Sequence, residues 1–532
     1  MNGRRGSVCL VLHTHLPFIY HPEHASFLEE SWLFEAITES YLPLLFVLRD
    51  LEQGGIPCRF AMSLTPPLAT MLRLPVLQEK ARRYLERRLE LSILEVARRG
   101  TEGREGEAAA HYAGRHEQML SLFDDLDGDL VAEFARHRAA GRIETLASGA
   151  THGFLPLFDR DASVRAQIRL GQQLHAELFG EPARGFWLPE CAFRPGMEPI
   201  LSGEGVQWVI LDGHGVRDAK PRPYPSTFRP VQIGEGLFAF GRDGECSEQV
   251  WSSQVGYPGD PEYRELYRDL GYDADYHYIR PFLEGDGVRR NVGLKYHRIT
   301  GRDLELHEKQ AWSPGAARER ARAHAENFLF NREAQIDHQC HRLGEEAVIC
   351  APFDTELFGH WWYEGPWFLE ELFRQAHAGS KNQHFAFRSP SDVLDRVGSR
   401  PRVQAHASTW GRKGFNEVWL SDKNQWFWPY LHEMEARLED WATRVSEPTA
   451  PERRLLDQMA RELLLAQSSD WHFIVTMETS SWYAERRFRD HVHRFFALED
   501  ALQAGSFDEA DLARVEDQDR IFPDLDFRIW GV

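Results

Sequence analysis

Short apolar runs that end in polar or acidic residues recur along this chain. The first, residues 7–13 (SVCLVLH), leads into the sequence HTH. Later runs at 143–154, 185–190, 208–215 and 347–359 each end on a Glu, His or Asp. Apolar, β-rich runs of this kind predict buried strands. An α/β barrel builds its functional site from the C-terminal ends of such strands, so the pattern predicts a barrel with polar side chains at one face.

Helical periodicity separates the predicted strands. Residues 31–54 carry apolar side chains at helical spacing and close on two glycines, and a second strand, 58–64, follows at once. This order is that of a βαβ unit. Between residues 75 and 140 the chain is rich in Arg, Glu, Leu and Ala with helical periodicity, which predicts a helical insertion. Residues 240–300 show little periodicity, so we expect long loops over the barrel face there.

The pattern becomes helical again towards the C-terminus, notably at 424–446 and 452–467. We therefore predict an α/β chain with two parts. A catalytic barrel covers residues 1–398 and is interrupted by the helical insertion at 75–140. A C-terminal helical domain covers residues 399–532 and contributes to the substrate cleft.

Composition and charge narrow the class of protein. The chain has 532 residues, of which 42% are hydrophobic and 27% charged, values typical of a globular protein with a large core. No apolar run reaches the roughly 18 residues needed to span a bilayer. The formal charge is 62 − 82 = −20 at pH 7. Such a charge repels nucleic acid and anionic membranes, so we expect neither as a partner.

The N-terminal sequence and the cysteines bear on location. The apolar run VCLVL has five residues, fewer than the roughly 7–15 of a secretory signal. The six cysteines are scattered without a CxxC pair, which favours a reducing compartment. We therefore expect a cytoplasmic protein. We also expect a monomer that has no cofactor.

Two acids stand at the ends of predicted strands in apolar surroundings. Glu190 lies in GFWLPECAF and Asp354 in CAPFDTELFGHWW. Cleavage of a glycosidic bond needs two carboxyl groups that flank it: one attacks or stabilises the oxocarbenium-like centre and the other transfers the proton. Two barrel strands can supply this pair. On the residues alone a structural role stays open for each acid.

Histidines near the predicted strand ends leave two kinds of chemistry open. His13 and His15 point to the same face of an extended strand, which is one way to arrange two metal ligands. A zinc site would need a third ligand, for which His152 and His214 are candidates. The alternatives are polar contacts to a substrate or, above all for His214, a satisfied histidine of the core.

Five stretches of the chain resemble glycoside hydrolase family 57, and more closely its α-1,4-glucan branching enzymes. They occur in the family's order across almost the whole chain: HTHLPF (13–18), ATHGFLPL (150–157), WLPECAF (187–193), APFDTELFGHWW (351–362) and SSDWHFIVTMETSSWYAERR (468–487). The resemblance implies a (β/α)7 barrel with a helical insertion and a C-terminal helical domain. It also implies a retaining mechanism, no metal, and α-glucan as both donor and acceptor.

The resemblance also implies roles for particular residues. Glu190 is the expected nucleophile and Asp354 the expected general acid/base. His13, His15 and His152 are expected to hydrogen-bond the sugar in subsite −1.

Further substrate contacts are implied outside these strands. The rings of Trp32, Trp410 and Trp419 are expected to line the acceptor cleft, against the alternative of core packing. Asp470 is expected to hydrogen-bond substrate, with helix capping as its alternative. Tyr257, in a Gly- and Pro-rich loop, is expected to cover the cleft and exclude water. The segment DADYHYIRPF (273–282) departs from the expected pattern and leaves its cleft aromatic undecided.

We therefore predict a 1,4-α-glucan branching enzyme. An α-amylase or a 4-α-glucanotransferase is the nearest alternative, because the same carboxylates serve all three reactions. A non-catalytic glucan-binding protein and a metal-dependent carbohydrate deacetylase are alternatives from other classes.

Overall fold

A parallel β-sheet that closes on itself forms the centre of the fold. It is described by a computed structural model over residues 6–252, 255–283, 285–379, 384–398 and 400–531. The strands are β1 (Gly6–Thr14), β2 (Phe60–Leu64), β3 (Ile143–Ser148), β4 (Gly185–Trp187), β5 (Trp208–Leu211), β6 (Val231–Gln232), β7 (Phe238–Gly241), β8 (Ala347–Asp354) and β9 (Phe385–Phe387). Their order is β6, β7, β5, β4, β3, β2, β1 and β8, and β9 also pairs with β1.

Seven of these strands make a barrel. β1, β2, β3, β4, β5, β7 and β8 pair with their neighbours in parallel. A parallel bridge between Arg242, which follows β7, and Cys350 of β8 joins the two edges of the sheet. β6 is antiparallel to β7, and β9 lies beside the N-terminal part of β1. The predicted seven-stranded α/β barrel is confirmed.

Helices surround the barrel and fill the predicted insertion. They are α1 (Ser31–Ala36), α2 (Leu42–Gln53), α3 (Pro66–Arg73), α4 (Pro75–Arg99), α5 (Gly103–Asp125), α6 (Leu130–Ala139), α7 (Asp161–Phe179), α8 (Glu198–Gly203), α9 (Gly213–Arg217), α10 (Gly244–Trp251), α11 (Leu270–Asp273), α12 (Tyr276–Ile279), α13 (Pro314–Leu343), α14 (Gly365–Ala378) and α15 (Pro390–Arg396). Between β2 and β3 the chain forms α3, α4, α5 and α6, and α4 packs along α5.

The first helical segment is long and apolar. A π-helical turn, Ile37–Tyr41, joins α1 to α2, so that one helix runs from Leu28 to Gln53. Its length and hydropathy would allow it to cross a membrane, but 72% of its apolar window is buried inside the protein. Its apolar side chains belong to the hydrophobic core.

Alternate residues of the strands face the barrel interior. The inner cluster includes, from β1, β4 and β8, Cys9, Val11, Trp187, Val348 and Cys350. Because side chains alternate along a strand, the inward positions continue to His13 in β1 and, past Pro352, to Asp354 in β8. His13 and Asp354 are partners in the β1–β8 register. The alternation that fills the interior thus also places polar groups at its mouth.

The C-terminal region is helical, as predicted, and docks on the loop after β3. Its helices are α16 (Phe427–Arg444), α17 (Ala450–Ala466), α18 (Ser469–Met477), α19 (Ser481–Ala504) and α20 (Glu509–Gln518). Gly153 and Ser468 form a β-bridge. The backbone amide of Ser469 donates to the carbonyl of His152 at 3.0 Å. The start of α18 is thereby fixed to the barrel mouth, while a boundary at residue 398 stays a prediction.

Close packing of α7 on β3 gives a test of this architecture. A Cβ at Gly171 would lie 1.8 Å from the backbone oxygen of Ser148, so helix or strand must shift. We expect Gly171→Ala to lower the free energy of unfolding by about 3 kcal/mol. Gly114→Ala in α5 is the control, because its Cβ meets nothing within 4 Å. Thermal or denaturant unfolding measures both, and equal stabilities would contradict the packing.

Candidate active site

Three imidazole rings stack where β1 and β3 end. The rings of His13 and His15 lie 5.8 Å apart, and His152 stacks on His15 at 3.7 Å. The Nε2 atoms of His13 and His152 are 3.0 Å apart, and His13 Nδ1 lies 2.7 Å from the hydroxyl of Ser63. Burial, followed by neighbouring histidines, holds the pKa of His13 and of His152 well below its usual range. Each of these two rings is therefore neutral and has one donor and one acceptor.

Glu190 stands on a strained turn just after β4. Its φ of 62° and the φ of 48° at Cys191 both lie in the left-handed region. A non-glycine residue there costs on the order of 1–2 kcal/mol. The short 3₁₀ turn Pro189–Cys191 thus ends the strand abruptly, and the Glu190 side chain is presented at the barrel mouth.

Two donors hold the carboxylate of Glu190, one on each oxygen. The indole Nε1 of Trp410 donates to Oε2 at 2.8 Å, and the hydroxyl of Ser469 donates to Oε1 at 2.9 Å. The Nδ1 atom of His152 lies 2.9 Å from the Ser469 hydroxyl and 3.9 Å from Glu190 Oε1. The expected nucleophile is therefore fixed by the barrel and by α18 together.

Asp354 ends β8 on the inner face of the barrel. Burial raises the pKa of Asp354 well above its usual range, and the carboxylates of Glu356 and Glu190 add to this, opposed by Arg242. Burial likewise raises the pKa of Glu190 to about 7, although the hydrogen bonds from Trp410 and Ser469 lower it.

Hydrogen bonding indicates which of the two acids, Asp354 or Glu190, carries a proton. A carboxylate that accepts hydrogen bonds is stabilised in its charged form, and Glu190 accepts two of them. We therefore assign the proton to Asp354 and the negative charge to Glu190 above neutral pH. This is the distribution that a proton donor and a nucleophile require.

Glu356 is a third buried carboxyl group behind Asp354. It accepts hydrogen bonds from the hydroxyl of Tyr41 at 2.6 Å and from the amide of His15 at 3.2 Å. Burial raises the pKa of Glu356 to about 7. Its contacts show a role in fixing the turn after β1 against the turn after β8.

Asp470 reaches the histidine stack from the start of α18. Its Oδ2 lies 2.9 Å from His15 Nε2 and accepts the hydroxyl of Ser468 at 2.6 Å. Burial opposes ionisation, but the contacts with His15 outweigh it and lower the pKa of Asp470 to about 2. The N-cap residue of α18 is Ser468 rather than Asp470, so Asp470 is not the capping residue of this helix, and its substrate contact stays a prediction.

The same residues include a group that could hold a metal ion. His15, His152 and Asp470 each offer a ligand atom, and these atoms lie within 4.8 Å of one another. Both ring nitrogens of His15 already face partners, Nδ1 facing Thr65 at 2.9 Å and Nε2 facing Asp470. Metal binding would therefore have to displace these contacts, and the absence of a metal stays a prediction. His214 is not a member of this group. Its Nδ1 contacts Asp212.

Trp410 and Trp32 are the two half-buried members of the predicted cleft tryptophans. Trp410 lies at the site through its hydrogen bond to Glu190, and its ring is 4.9 Å from that of Trp187. Trp32 begins α1 and meets Tyr483 of α19 edge-on at 6.1 Å. Their sugar contacts stay predictions.

Trp419 does not have the exposed ring that the sequence predicts. Its exposed fraction is 1%, and its ring stacks on Phe154 at 4.5 Å. Gly411 approaches so closely that a Cβ there would lie 2.5 Å from the indole. The expectation of an exposed platform at Trp419 is therefore wrong, because both chain segments pack over the ring.

Tyr257 also departs from its expected place over the cleft. Its exposed fraction is 9%, its hydroxyl donates to Asn327 of α13 at 2.8 Å, and its ring stacks on His324 at 4.6 Å. The expectation that this ring covers the cleft is wrong in this structure. Ser253 and Gln254 of the same loop lie outside the described residues.

The undecided segment 273–282 contributes no clear cleft aromatic. The hydroxyl of Tyr276 donates to the carbonyl of Gly287 at 2.9 Å, and that of Tyr278 donates to Glu95 at 2.7 Å. Both rings are thus tied to the helical insertion and its neighbouring loops.

Sequence reasoning did not name Ser469, Glu356 or Arg242. Ser469 and Glu356 stand in quoted motifs, one position before Asp470 and two after Asp354, so the motifs themselves carried a signal. Arg242 lies in no motif, and only the barrel closure reveals it.

Comparison with known proteins places this site in a family. A family model described as glycosyl hydrolase family 57 matches residues 9–406, which include Glu190 and Asp354. The chain belongs to glycosyl hydrolase family 57. A second model, described as 1,4-alpha-glucan branching enzyme, C-terminal, matches residues 430–530, which include Ser469 and Asp470. The family predicted from the motifs is confirmed.

Relatives of this family 57 chain cover nearly its whole length. A 1,4-alpha-glucan branching enzyme of Thermococcus kodakarensis is 30% identical over 97% of this chain and 77% of the relative. The crystal structure of the alpha-amylase AmyC from Thermotoga maritima has a TM-score of 0.93 at 39% identity, covering 99% of both chains. That of a branching enzyme of the same family from Pyrococcus horikoshii has a TM-score of 0.89 at 32% identity, covering 99% and 97%.

The hydrogen bond from Ser469 predicts a shift in the pH dependence of this family 57 site. As the expected nucleophile, Glu190 must be ionised to attack, so we expect kcat/KM to rise as pH increases through its pKa of about 7. Ser469→Ala removes a donor that stabilises the carboxylate, so the acid limb should move to higher pH by on the order of one unit.

Ser468→Ala is the matched control for this shift. Its hydroxyl donates to Asp470 rather than to Glu190. The measurement is kcat/KM on a soluble maltooligosaccharide between pH 4 and 10. An acid limb that Ser469→Ala leaves in place would remove Ser469 from the set of groups that control the nucleophile.

Proposed function

We propose that this protein is a 1,4-α-glucan branching enzyme that works by a retaining mechanism. The observation that carries the proposal is the match of the branching-enzyme C-terminal model to residues 430–530. That region supplies Ser469 to Glu190 and Asp470 to His15. The part of the chain that resembles branching enzymes is therefore built into the catalytic site.

The first step cleaves an α-1,4 bond of the donor glucan. The Glu190 carboxylate attacks C1 of the sugar in subsite −1, and the Asp354 carboxyl donates its proton to the departing glycosidic oxygen. The products are a glycosyl ester on Glu190 and a shortened chain with a free 4-hydroxyl. The raised pKa of Asp354 keeps the proton available at neutral pH.

The second step transfers the bound chain. The Asp354 carboxylate, now ionised, accepts the proton of an acceptor 6-hydroxyl, whose oxygen attacks C1 and releases Glu190. Two inversions at C1 retain the α configuration. In both steps His13, His15, His152 and Asp470 are proposed to bind hydroxyl groups of the −1 sugar, since ring nitrogens and a carboxylate together offer donors and acceptors to hydroxyl groups.

An α-amylase is the second candidate, because the similarity to AmyC is the strongest structural match described above. In that reaction water takes the place of the acceptor hydroxyl. Incubation with amylose separates the two functions. Branching yields new α-1,6 linkages with few new reducing ends, whereas an enzyme that yields reducing ends alone is an amylase.

We further propose that the enzyme acts as a cytoplasmic monomer in the synthesis of a storage glucan. The described cysteines are free, and all but Cys340 are buried, a state that a reducing compartment maintains. Light scattering on the purified protein tests the monomer, and cell fractionation tests the location.

Two variants distinguish the roles of the carboxylates. Glu190→Gln and Asp354→Asn should each lower turnover of amylose by at least about 10²–10⁴-fold. A substrate with a nitrophenol leaving group needs no proton on departure. Asp354→Asn should therefore release a burst of nitrophenol as the glycosyl ester forms on Glu190, whereas Glu190→Gln should not.

The same assignment has a geometric and a kinetic check. In a crystal structure the two carboxyl groups should lie about 5–5.5 Å apart, and a separation above about 6.5 Å would indicate inversion. A burst from Glu190→Gln but not from Asp354→Asn would reverse the two roles.

A further inference from the structure

A cavity opens at the C-terminal ends of β5 and β7, which is the end of the barrel that also carries Glu190 and Asp354. Its volume is about 410 Å³. The first turn of α9 and the helix α10 form its walls, with Asp212, His214, Arg242, Ser247 and Trp251 among the lining residues. None of these residues belongs to the histidine stack or was assigned to a substrate contact above.

Arg242 links this cavity to the catalytic centre. It lines the cavity and forms the bridge to Cys350 that closes the barrel. Its guanidinium lies 5.4 Å from the ring centroid of Trp410, which donates to Glu190. Its charge also acts on Asp354. A molecule bound in the cavity would therefore contact a residue whose charge acts on Asp354 and whose side chain packs on the indole that holds Glu190.

The polar groups of the cavity floor pair with one another, except that His214 Nε2 is buried and has no hydrogen-bond partner among the described residues. Asp212 contacts His214 at 2.8 Å and Arg242 at 3.4 Å, and Arg242 Nε donates to the hydroxyl of Ser247 at 2.8 Å. The lining carries two acids and two arginines, since Glu248 and Arg217 complete it. The formal charge is thus balanced, and such a floor suits a neutral ligand with many hydroxyl groups.

Trp251 lines the cavity, and the exposed ring of Trp361, which is not among the lining residues, packs against it. Trp251 ends α10 and is 40% exposed, and Trp361 follows Asp354 in the same segment and is 45% exposed. Their rings meet edge to face, 5.7 Å apart and at 66°. Exposed aromatic faces beside hydrogen-bonding groups are suited to the apolar faces and hydroxyl edges of sugars.

We propose that this cavity binds the acceptor glucan, with Trp251 and Trp361 as its sugar platform. The inference rests on the branching function and adds where the acceptor lies. A chain held on these rings presents its 6-hydroxyl to Asp354, which takes the proton as the hydroxyl oxygen attacks C1 and displaces the Glu190 carboxylate. Holding the acceptor there raises its local concentration against that of water. Trp251 and Trp361 therefore set the ratio of transfer to hydrolysis.

The test compares Trp251→Ala, Trp361→Ala and the double variant with the parent enzyme on amylose. New α-1,6 linkages and new reducing ends are counted, and the rate of α-1,4 cleavage is followed separately. We expect the ratio of branches to reducing ends to fall about five- to ten-fold in the double variant. The cleavage rate should change less than about two-fold, because donor contacts are unaltered.

Three controls keep the result specific. Trp482→Ala removes a tryptophan that is 59% exposed on α19, outside this cavity, and should leave the ratio unchanged. Trp251→Phe and Trp361→Phe retain an aromatic face and should preserve most branching. Raising the concentration of added maltoheptaose acceptor should restore branching in the alanine variants, since only acceptor binding is weakened.

The outcomes separate this inference from the function on which it rests. A parent enzyme that branches, together with a double variant of unchanged ratio, overturns the acceptor site and leaves the branching function standing. A parent that forms only reducing ends overturns both. A double variant that loses cleavage and branching equally also overturns the acceptor site, because the rings would then serve the donor or the fold.

Discussion

The catalytic site depends on the two hydrogen bonds that fix the carboxylate of Glu190. Their donors, Trp410 and Ser469, are 220 and 279 residues away in sequence. One comes from the chain that leaves the barrel and the other from the first turn of α18. The strained turn at Glu190 can persist only where surrounding structure determines it. The proposed nucleophile is therefore positioned by the joint packing of barrel and helices.

The neutral histidines follow from the same burial. His13 stacks on Trp187 at 4.4 Å at the top of the barrel interior, where a charged imidazolium would lose most of its hydration. Burial thus keeps His13 and His152 uncharged, while Asp470 supplies a negative charge close to them. An electron-rich, dry floor of this kind suits a sugar that develops positive charge at C1.

Much of the fold and the centre of the site could be predicted because the signals are local. Strand alternation, which continues from Val11 to His13 and ends β8 on Asp354, needs no knowledge of distant contacts. The 30-residue helix α13 was not predicted, since the buried face of its N-terminal half is mostly alanine, at Ala317, Ala321 and Ala325, and gives a weak periodic signal.

The errors concern residues whose environment is set by distant packing. The glycine-rich sequence around Trp419 indicated an exposed loop. The ring is buried because Phe154, from the chain after β3, stacks on it and the backbone at Gly411 approaches it closely. The sequence of the loop that carries Tyr257 does not indicate that this residue packs on α13. Conversely, Trp251 and Trp361 are far apart in sequence and become a pair only when the barrel closes between β7 and β8.

The docking of α18 on the loop after β3 has a consequence for heat inactivation. The proposed mechanism needs α18 in place, because this helix supplies Ser469 to Glu190, whereas most of the ordered backbone lies elsewhere. Warming that unfolds only the start of this helix would leave the circular dichroism signal almost unchanged and yet abolish activity. Lost activity is therefore an early reporter of local loosening, and cooling would reverse it as long as the barrel itself had not melted.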